Sequence, residues 1–303
     1  MAEEENGLEA TLVVMRTLLG LAPVLLLLVG CSSATLPEPV PEPEVIEEAT
    51  PEPDVVGGEA APTVVDQWGE WDHNGTVFLT PDLITSESPS DLVEVTFTGS
   101  EERETFDRRV NSFVVSESHI FTANFRCAPD PVEIVVNAEF SDEQAEGEAQ
   151  RFAFVLGQMP LGLRGLVHEI WVHDGNEPAG GGNNSILVHS VYADESTNFI
   201  EEVFLHEGAH TSLDYDFGGV VDRAIWSEAV TSDGSFISGY AEEFPEREDI
   251  SESYSAFLIW ALHRNQGIFS ESAAGIEALI PARLQYFESL GSDFGPLPKS
   301  CGK

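Results

Sequence analysis

The 303-residue chain is almost without lysine: Lys299 and Lys303 are the only two, and Lys and Arg together number 13 against 54 Asp and Glu. The formal charge of −41 repels phosphate backbones and anionic lipid, which argues against nucleic acid or a membrane surface as partner. Self-repulsion on this scale works against the compact state unless salt or divalent cations screen it. Two expectations stay open: a protein suited to a salty medium, or a solvated acidic surface with no further role. A hydrophobic run long enough to span a bilayer is also missing. Leu18 to Gly30 is almost entirely apolar, yet shorter than the roughly 20 residues a spanning helix needs. No internal repeat and no compact EF-hand pattern is present.

That short apolar run reads as an export signal. Glu3, Glu4, Glu5 and Glu9 contradict the basic flank such a signal needs, whereas a start at Met15 leaves Met15-Arg16, the apolar stretch and Leu28-Val29-Gly30-Cys31. This ending resembles a bacterial lipoprotein signal, in which Cys31 is lipidated and becomes the first mature residue; an ordinary cleaved signal is the alternative. The expected location is therefore outside the cytoplasm, with contact to a membrane only through the N-terminal lipid. With Cys31 taken by lipid, Cys127 and Cys301 remain as an even pair in a disulfide-permissive compartment, and a bridge between them is expected.

Composition divides the remainder. From Ser32 to about Val65 the chain is dominated by Pro, Glu, Val and Ala, with no aromatic and no basic residue. Like charges and proline keep such a segment extended, and it has too little apolar surface to offset ordering. The expected organisation is a signal over 1–30, a lipidated cysteine and tether over 31–65, and a folded domain over 66–303.

Within that domain, 66–140 is strand-rich. β-prone runs lie at Thr76–Leu79, Leu92–Phe97, His119–Phe125 and Val132–Val136. A helix is expected over Glu143–Leu156, strands over Leu166–Val172 and Ser185–His189 with a Gly-rich loop (Gly180 to Asn184) between them, and mostly helix from Asn198 onward. Strands followed by helices indicate an α+β domain.

The chemistry concentrates in His206-Glu207-Gly208-Ala209-His210. On a helix, residues four apart share a face, so both imidazoles can reach one ion with Glu207 beside them. Asn198 and Glu201 form an N-cap and N3 pair for that helix. Histidine suits zinc, and an adjacent glutamate can take a proton from bound water. One catalytic Zn2+ needs a third protein ligand and an open position. Glu248 and Glu252 offer two carboxylates at i, i+4 on a later helix begun near Pro245, and either serves as the third ligand.

These elements together resemble a known family. His206 to His210, Asp214 four residues later, Tyr240-Ala241, and Glu248-Asp249-Ile250-Ser251-Glu252 are similar to the catalytic domain of anthrax lethal factor and the Pro-Pro endopeptidases, zinc metallopeptidases of the gluzincin type. The likeness covers roughly residues 185–260. It implies a zincin-like domain in which Glu248 is the third ligand, Glu252 and Asp214 support the ligands from behind, and Tyr240 donates to the oxyanion. Tyr240 lies eight residues before Glu248 where the family has seven, so one residue must be looped out. The resemblance also implies that Ser185, Ile186, Leu187, Val188 and His189 form an edge strand before the metal-binding helix, pairing main chain to main chain with an extended peptide.

Other histidines fit less well. His168 and His173 are five apart on a strand and face opposite sides, so they do not share an ion. The function expected is hydrolysis of peptide or protein substrates by a surface-anchored zinc endopeptidase, with Glu207 activating the water. The alternative is an inactive, zinc-stabilised lipoprotein that captures extended peptides or wall material. Cleavage specificity and oligomeric state leave no mark in the sequence.

Overall fold

Apolar–polar alternation from Leu92 onward builds a long antiparallel hairpin, β1 (Leu92–Asp107) and β2 (Ser112–Phe125), whose register is offset by irregularities at Glu94 and Gly99. The computed structural model describes residues 84–128, 130–195, 200–265 and 270–296, all within a unit running from Pro53 to Lys303. The expected signal, the tether, the Thr76–Leu79 strand, the Asn198 cap, Cys31 and Cys301 fall outside the described residues. No helix among the described residues is long and apolar enough to cross a membrane.

The fold is mixed α/β, strand-rich in its first part and helical after it, in keeping with the expected order of elements. After the hairpin come β3 (Val132–Asn137), α1 (Asp142–Gln158), the short α2 (Leu161–Arg164), β4 (Glu169–His173), β5 (Gly180–Gly182) and β6 (Ser185–His189). The six strands form one sheet in the order β1-β2-β3-β4-β6-β5. β3, β4 and β6 run parallel, while β2 on one side and β5 on the other are antiparallel to their neighbours. Helix α1 starts on a complete capping box, in which Ser141 accepts from the Gln144 N–H and the Gln144 side chain accepts in return from the Ser141 N–H. It makes the crossover from β3 to β4.

The pleat sorts the central strands into two faces. Ile134, Val136, Ile170, Val172, Ile186 and Val188 point into the main core, under α1 and α4 (Ile200–Ser212). Val135, Trp171 and Leu187 point the other way, with Ile120, into a second small core closed by Phe106 of the hairpin. Polar layers flank that second core. On one side Arg103 of β1 pairs with Glu133 and Glu169. On the other, His173 and His189 stack 5.7 Å apart, with Thr105 bonded to His173 at 3.2 Å.

Two strand expectations change. Gly180–Gly182 is a strand rather than a loop, although three glycines carry no strand propensity of their own. It forms because β6 offers a pairing partner and α4 lies so close that a Cβ on Gly181 would strike the Glu207 backbone. As a result β6 is an interior strand, not an edge. All five of its residues are buried, and Ser185, Ile186 and Leu187 are paired with β5.

The helical part contains α3 (Ser190–Glu195), α4, α5 (Arg223–Asp233), α6 (Gly239–Glu243), α7 (Asp249–His263), α8 (Ser270–Leu279) and α9 (Pro281–Ser289). Helix α7 packs on α4 from one side and on α8 and α9 from the other. Trp226, Tyr254, Phe257 and Phe287 form the aromatic centre between α5, α7 and α9. The α7 start is set by a buried ion network. Arg283, fully buried on α9, donates to Asp249 at 3.0 Å and pairs with Asp233 at 3.1 Å. Since Asp249 follows Glu248 directly, this network anchors the turn from which Glu248 projects.

Candidate metal centre

Helix α4 brings His206 and His210 to one face, with their Nε2 atoms 3.1 Å apart. The chain then passes through a 3-10 turn (Tyr215–Phe217) and two helices before α7 returns to the same place: Glu248, at the N-cap of α7, puts Oε2 3.1 Å from His210 Nε2 and 3.3 Å from His206 Nε2. His206, His210 and Glu248 are a group that could hold a metal ion. Helix α7 begins at Asp249, later than Pro245 suggested, because residues 245–248 form a turn. Glu248 still carries helical dihedrals, and its carbonyl accepts the Glu252 N–H at 3.0 Å, so the two acids stay one helical turn apart.

Of the two carboxylates that sequence left as alternatives, Glu248 therefore faces the imidazole nitrogens directly. Glu252, fully buried, lies behind: its Oε1 is 3.3 Å from His206 Nδ1, and its Oε2 accepts from Ser238 Oγ at 2.7 Å. Asp214 Oδ2 stands 4.0 Å from His210 Nδ1, while Oδ1 caps the 3-10 turn by accepting the Asp216 N–H at 2.8 Å. Each imidazole thus has an acid on the side away from the candidate ion, the arrangement that orients metal-ligating histidines.

The field of these acids dominates the electrostatics. Burial works against charge on both imidazoles. Hydrogen bonds to Glu248 and Glu252 and the nearby Glu207 charge nonetheless raise His206 well above its usual range. His210 is likewise opposed by burial and raised to about 9 by Glu248 and Asp214. Burial pushes Glu248 up, but His210 and His206 outweigh it and hold its carboxyl far below the ordinary range. A proton on either Nε2 would be aimed across 3.1 Å at its neighbour. A cation shared by all three donor atoms meets the same negative field without that conflict, and metal binding displaces such protons.

Glu207, beside His206 in sequence, is buried and contributes to the His206 shift, so its carboxylate lies in the same field. Its main chain is pinned by Thr211, whose hydroxyl lies 2.9 Å from the carbonyls of both Glu207 and Ser185 and accepts the Gly182 N–H at 2.8 Å. Strand β5 passes directly over this turn. A Cβ on Gly181 would meet the Glu207 carbonyl carbon at 2.8 Å and Cα at 2.9 Å, with the carbonyl oxygen closer still.

Tyr240 of α6 is brought to the site despite its extra residue of spacing; its hydroxyl donates to Glu248 Oε1 at 3.1 Å. Two neighbours were missed. Arg247 donates to the same oxygen at 2.7 Å. Ser238 caps α6 through the Ala241 N–H at 3.0 Å while holding Glu252. The only sequence signal for Arg247 was rarity, a cation beside Glu248 in a chain with 13; Ser238 had the chemistry of an N-cap and nothing more.

The strand residues Ser185 to His189 do not join this centre. β5 occupies the flank of β6 where a peptide was expected to pair. His189 is completely buried on the opposite face of the sheet, stacked on His173. His168 precedes β4 and His173 ends it on the His189 side, so they do not form a ligand pair. No family model, curated protein or solved structure matches the chain.

Proposed function

We propose that the chain is a zinc-dependent endopeptidase of zincin-like architecture, in which His206, His210 and Glu248 hold the ion and Glu207 is the general base. The observation that carries this reading is the triangle of donor atoms, with sides of 3.1, 3.1 and 3.3 Å. Zinc bound tetrahedrally at about 2.0–2.1 Å sets its ligands about 3.3 Å apart. Two imidazoles and one carboxylate also leave a fourth position open, which a purely structural zinc site does not.

When bound, the ion supplies a Lewis acid that polarises a carbonyl and brings the pKa of water towards neutrality. Glu207 takes the water proton on its carboxylate and passes it to the leaving amine, a contribution of roughly 10²–10⁴ in rate. Tyr240 stands beside the ligand carboxylate, from where its hydroxyl turns to a developing oxyanion; such donors are commonly worth about 3 kcal/mol. Glu252 and Asp214 keep the imidazoles in the tautomer that leaves Nε2 free. Because β6 is interior, an extended peptide is assigned to the outer edge of β5, the strand that crosses Glu207. The resemblance of Met15 to Cys31 to a bacterial lipoprotein signal supports an extracytoplasmic, lipid-anchored enzyme.

A casein or peptide-library assay on zinc-loaded wild type and Glu207→Gln tests the reading. Cleavage by wild type and a loss of at least a hundredfold in the variant, with zinc retained by both, is expected. Equal cleavage by the two proteins would overturn the mechanism. Zinc in both with cleavage by neither would favour the peptide-capturing lipoprotein instead.

A further inference from the structure

Glu248 divides its oxygens between two tasks. Oε2 faces both imidazoles, whereas Oε1 accepts from Arg247 Nε at 2.7 Å and from the Tyr240 hydroxyl at 3.1 Å. Arg247 also donates through Nη2 to the Tyr240 hydroxyl oxygen at 3.2 Å. The three side chains therefore close a ring of hydrogen bonds. Phe244 braces that ring from one side: its ring centroid is 5.3 Å from that of Tyr240, and the Arg247 guanidinium carbon lies 4.9 Å above it. The Phe244 carbonyl accepts both the Arg247 N–H at 3.0 Å and the Glu248 N–H at 2.8 Å.

We propose that Arg247 is a positioning residue of the metal centre, holding Glu248 Oε1 away from the ion and aiming the Tyr240 hydroxyl at the site. The proposal rests on the zinc reading above. A carboxylate is free to turn about its terminal bond and offer an ion either oxygen, or both. Bidentate binding would occupy the position that water needs on a catalytic zinc. A charge-assisted bond at 2.7 Å from a planar guanidinium removes that freedom and leaves Oε2 as the single donor.

The ring also has a part in the reaction. Tyr240 has one proton, which it directs at Oε1. When that proton turns towards a substrate oxygen, Oε1 would be left as a buried acceptor without a donor were Arg247 not bonded to it already. Arg247 Nη2 remains on the phenol oxygen throughout, which strengthens the phenol as a donor and limits its swing. Lysine lacks the fork needed to serve two oxygens in fixed directions.

Loss of charge and loss of position have opposite signs at this residue. Removing a cation near the ion strengthens metal binding by electrostatics alone, whereas releasing Glu248 weakens it. The test is the zinc dissociation constant of the full chain, measured against a competing chromophoric chelator, for wild type, Arg247→Ala and Arg247→Lys. We expect both variants to bind one zinc about tenfold more weakly, the lower end of what losing such a supporting contact costs. In the peptidase assay kcat falls with KM nearly unchanged, and Tyr240→Phe has little further effect once Arg247 is alanine. Arg247→Lys, which keeps charge and bulk, carries the test should the alanine variant not fold. Zinc bound as tightly as in wild type, or more tightly, would overturn the proposal, as would full recovery by lysine. A wild type that binds no zinc would overturn the metal reading itself, a separate outcome.

Discussion

Replacing Gly181 by alanine probes the contact on which the placement of Glu207 depends. The added methyl would fall within 3.0 Å of the Glu207 carbonyl carbon and Cα, both backbone atoms that cannot swing aside. β5 and α4 must therefore separate by something on the order of an ångström. Overpacking of this kind costs about 1–3 kcal/mol, and the separation stretches the 2.8 Å bond from the Gly182 N–H to Thr211, worth about 1 kcal/mol. A total of about 2–4 kcal/mol corresponds, in a domain of this size, to a fall of roughly 5–12 °C in melting temperature. Scanning calorimetry on metal-free protein measures it. Gly180→Ala is the control, since its methyl meets only the end of the Arg108 side chain, which can move. Melting of Gly181→Ala within a degree of wild type, or equal losses in both variants, would refute the argument that β5 is moulded on the helix.

Two more predictions concern fold stability rather than metal binding. Burial pushes His173 below its ordinary range and His189 down to about 4, with His173 and the nearby arginines adding to the effect on His189 and Asp107 opposing it. A buried neutral histidine stabilises the fold above its unfolded pKa near 6.5, and that contribution is lost as pH falls from about 6.5 towards 4. At pH 5 the His189 share amounts to about 2 kcal/mol, so urea melts of the metal-free protein should show a steeper acid loss in wild type than in His189→Leu, and parallel curves would contradict this. Arg283→Met leaves Asp233 and Asp249 buried without their shared cation, at a cost of roughly 3–5 kcal/mol; a change below 1 kcal/mol in the same melts would show that the network is not holding α7.

Legibility in the sequence followed the range of the interactions. The pair of imidazoles was readable because a four-residue spacing on a helix is local geometry, and Glu248 with Glu252 for the same reason. The main strands were readable from β-branched runs such as Val132–Val136. Gly180–Gly182 was not, since its strand state comes from β6 and α4, partners remote from any propensity in the glycines themselves. That one omission also misplaced Ser185–His189, which became interior once β5 took the outer position. The far half of β1, Ser100–Asp107, resembles a charged loop. It is strand because Arg103, Thr105 and Phe106 meet Glu133, Glu169, His173 and the second core across the sheet face. Arg247 and Ser238 were hidden for a further reason: each gains its meaning only from the side chain it touches.

The most direct test of the account is elemental analysis of purified protein, wild type beside Glu248→Ala, after dialysis against a weak chelator. One zinc per wild-type chain and a large loss in the variant is the predicted result. Zinc held equally by both proteins, or by neither, would contradict the assignment of His206, His210 and Glu248 as the centre.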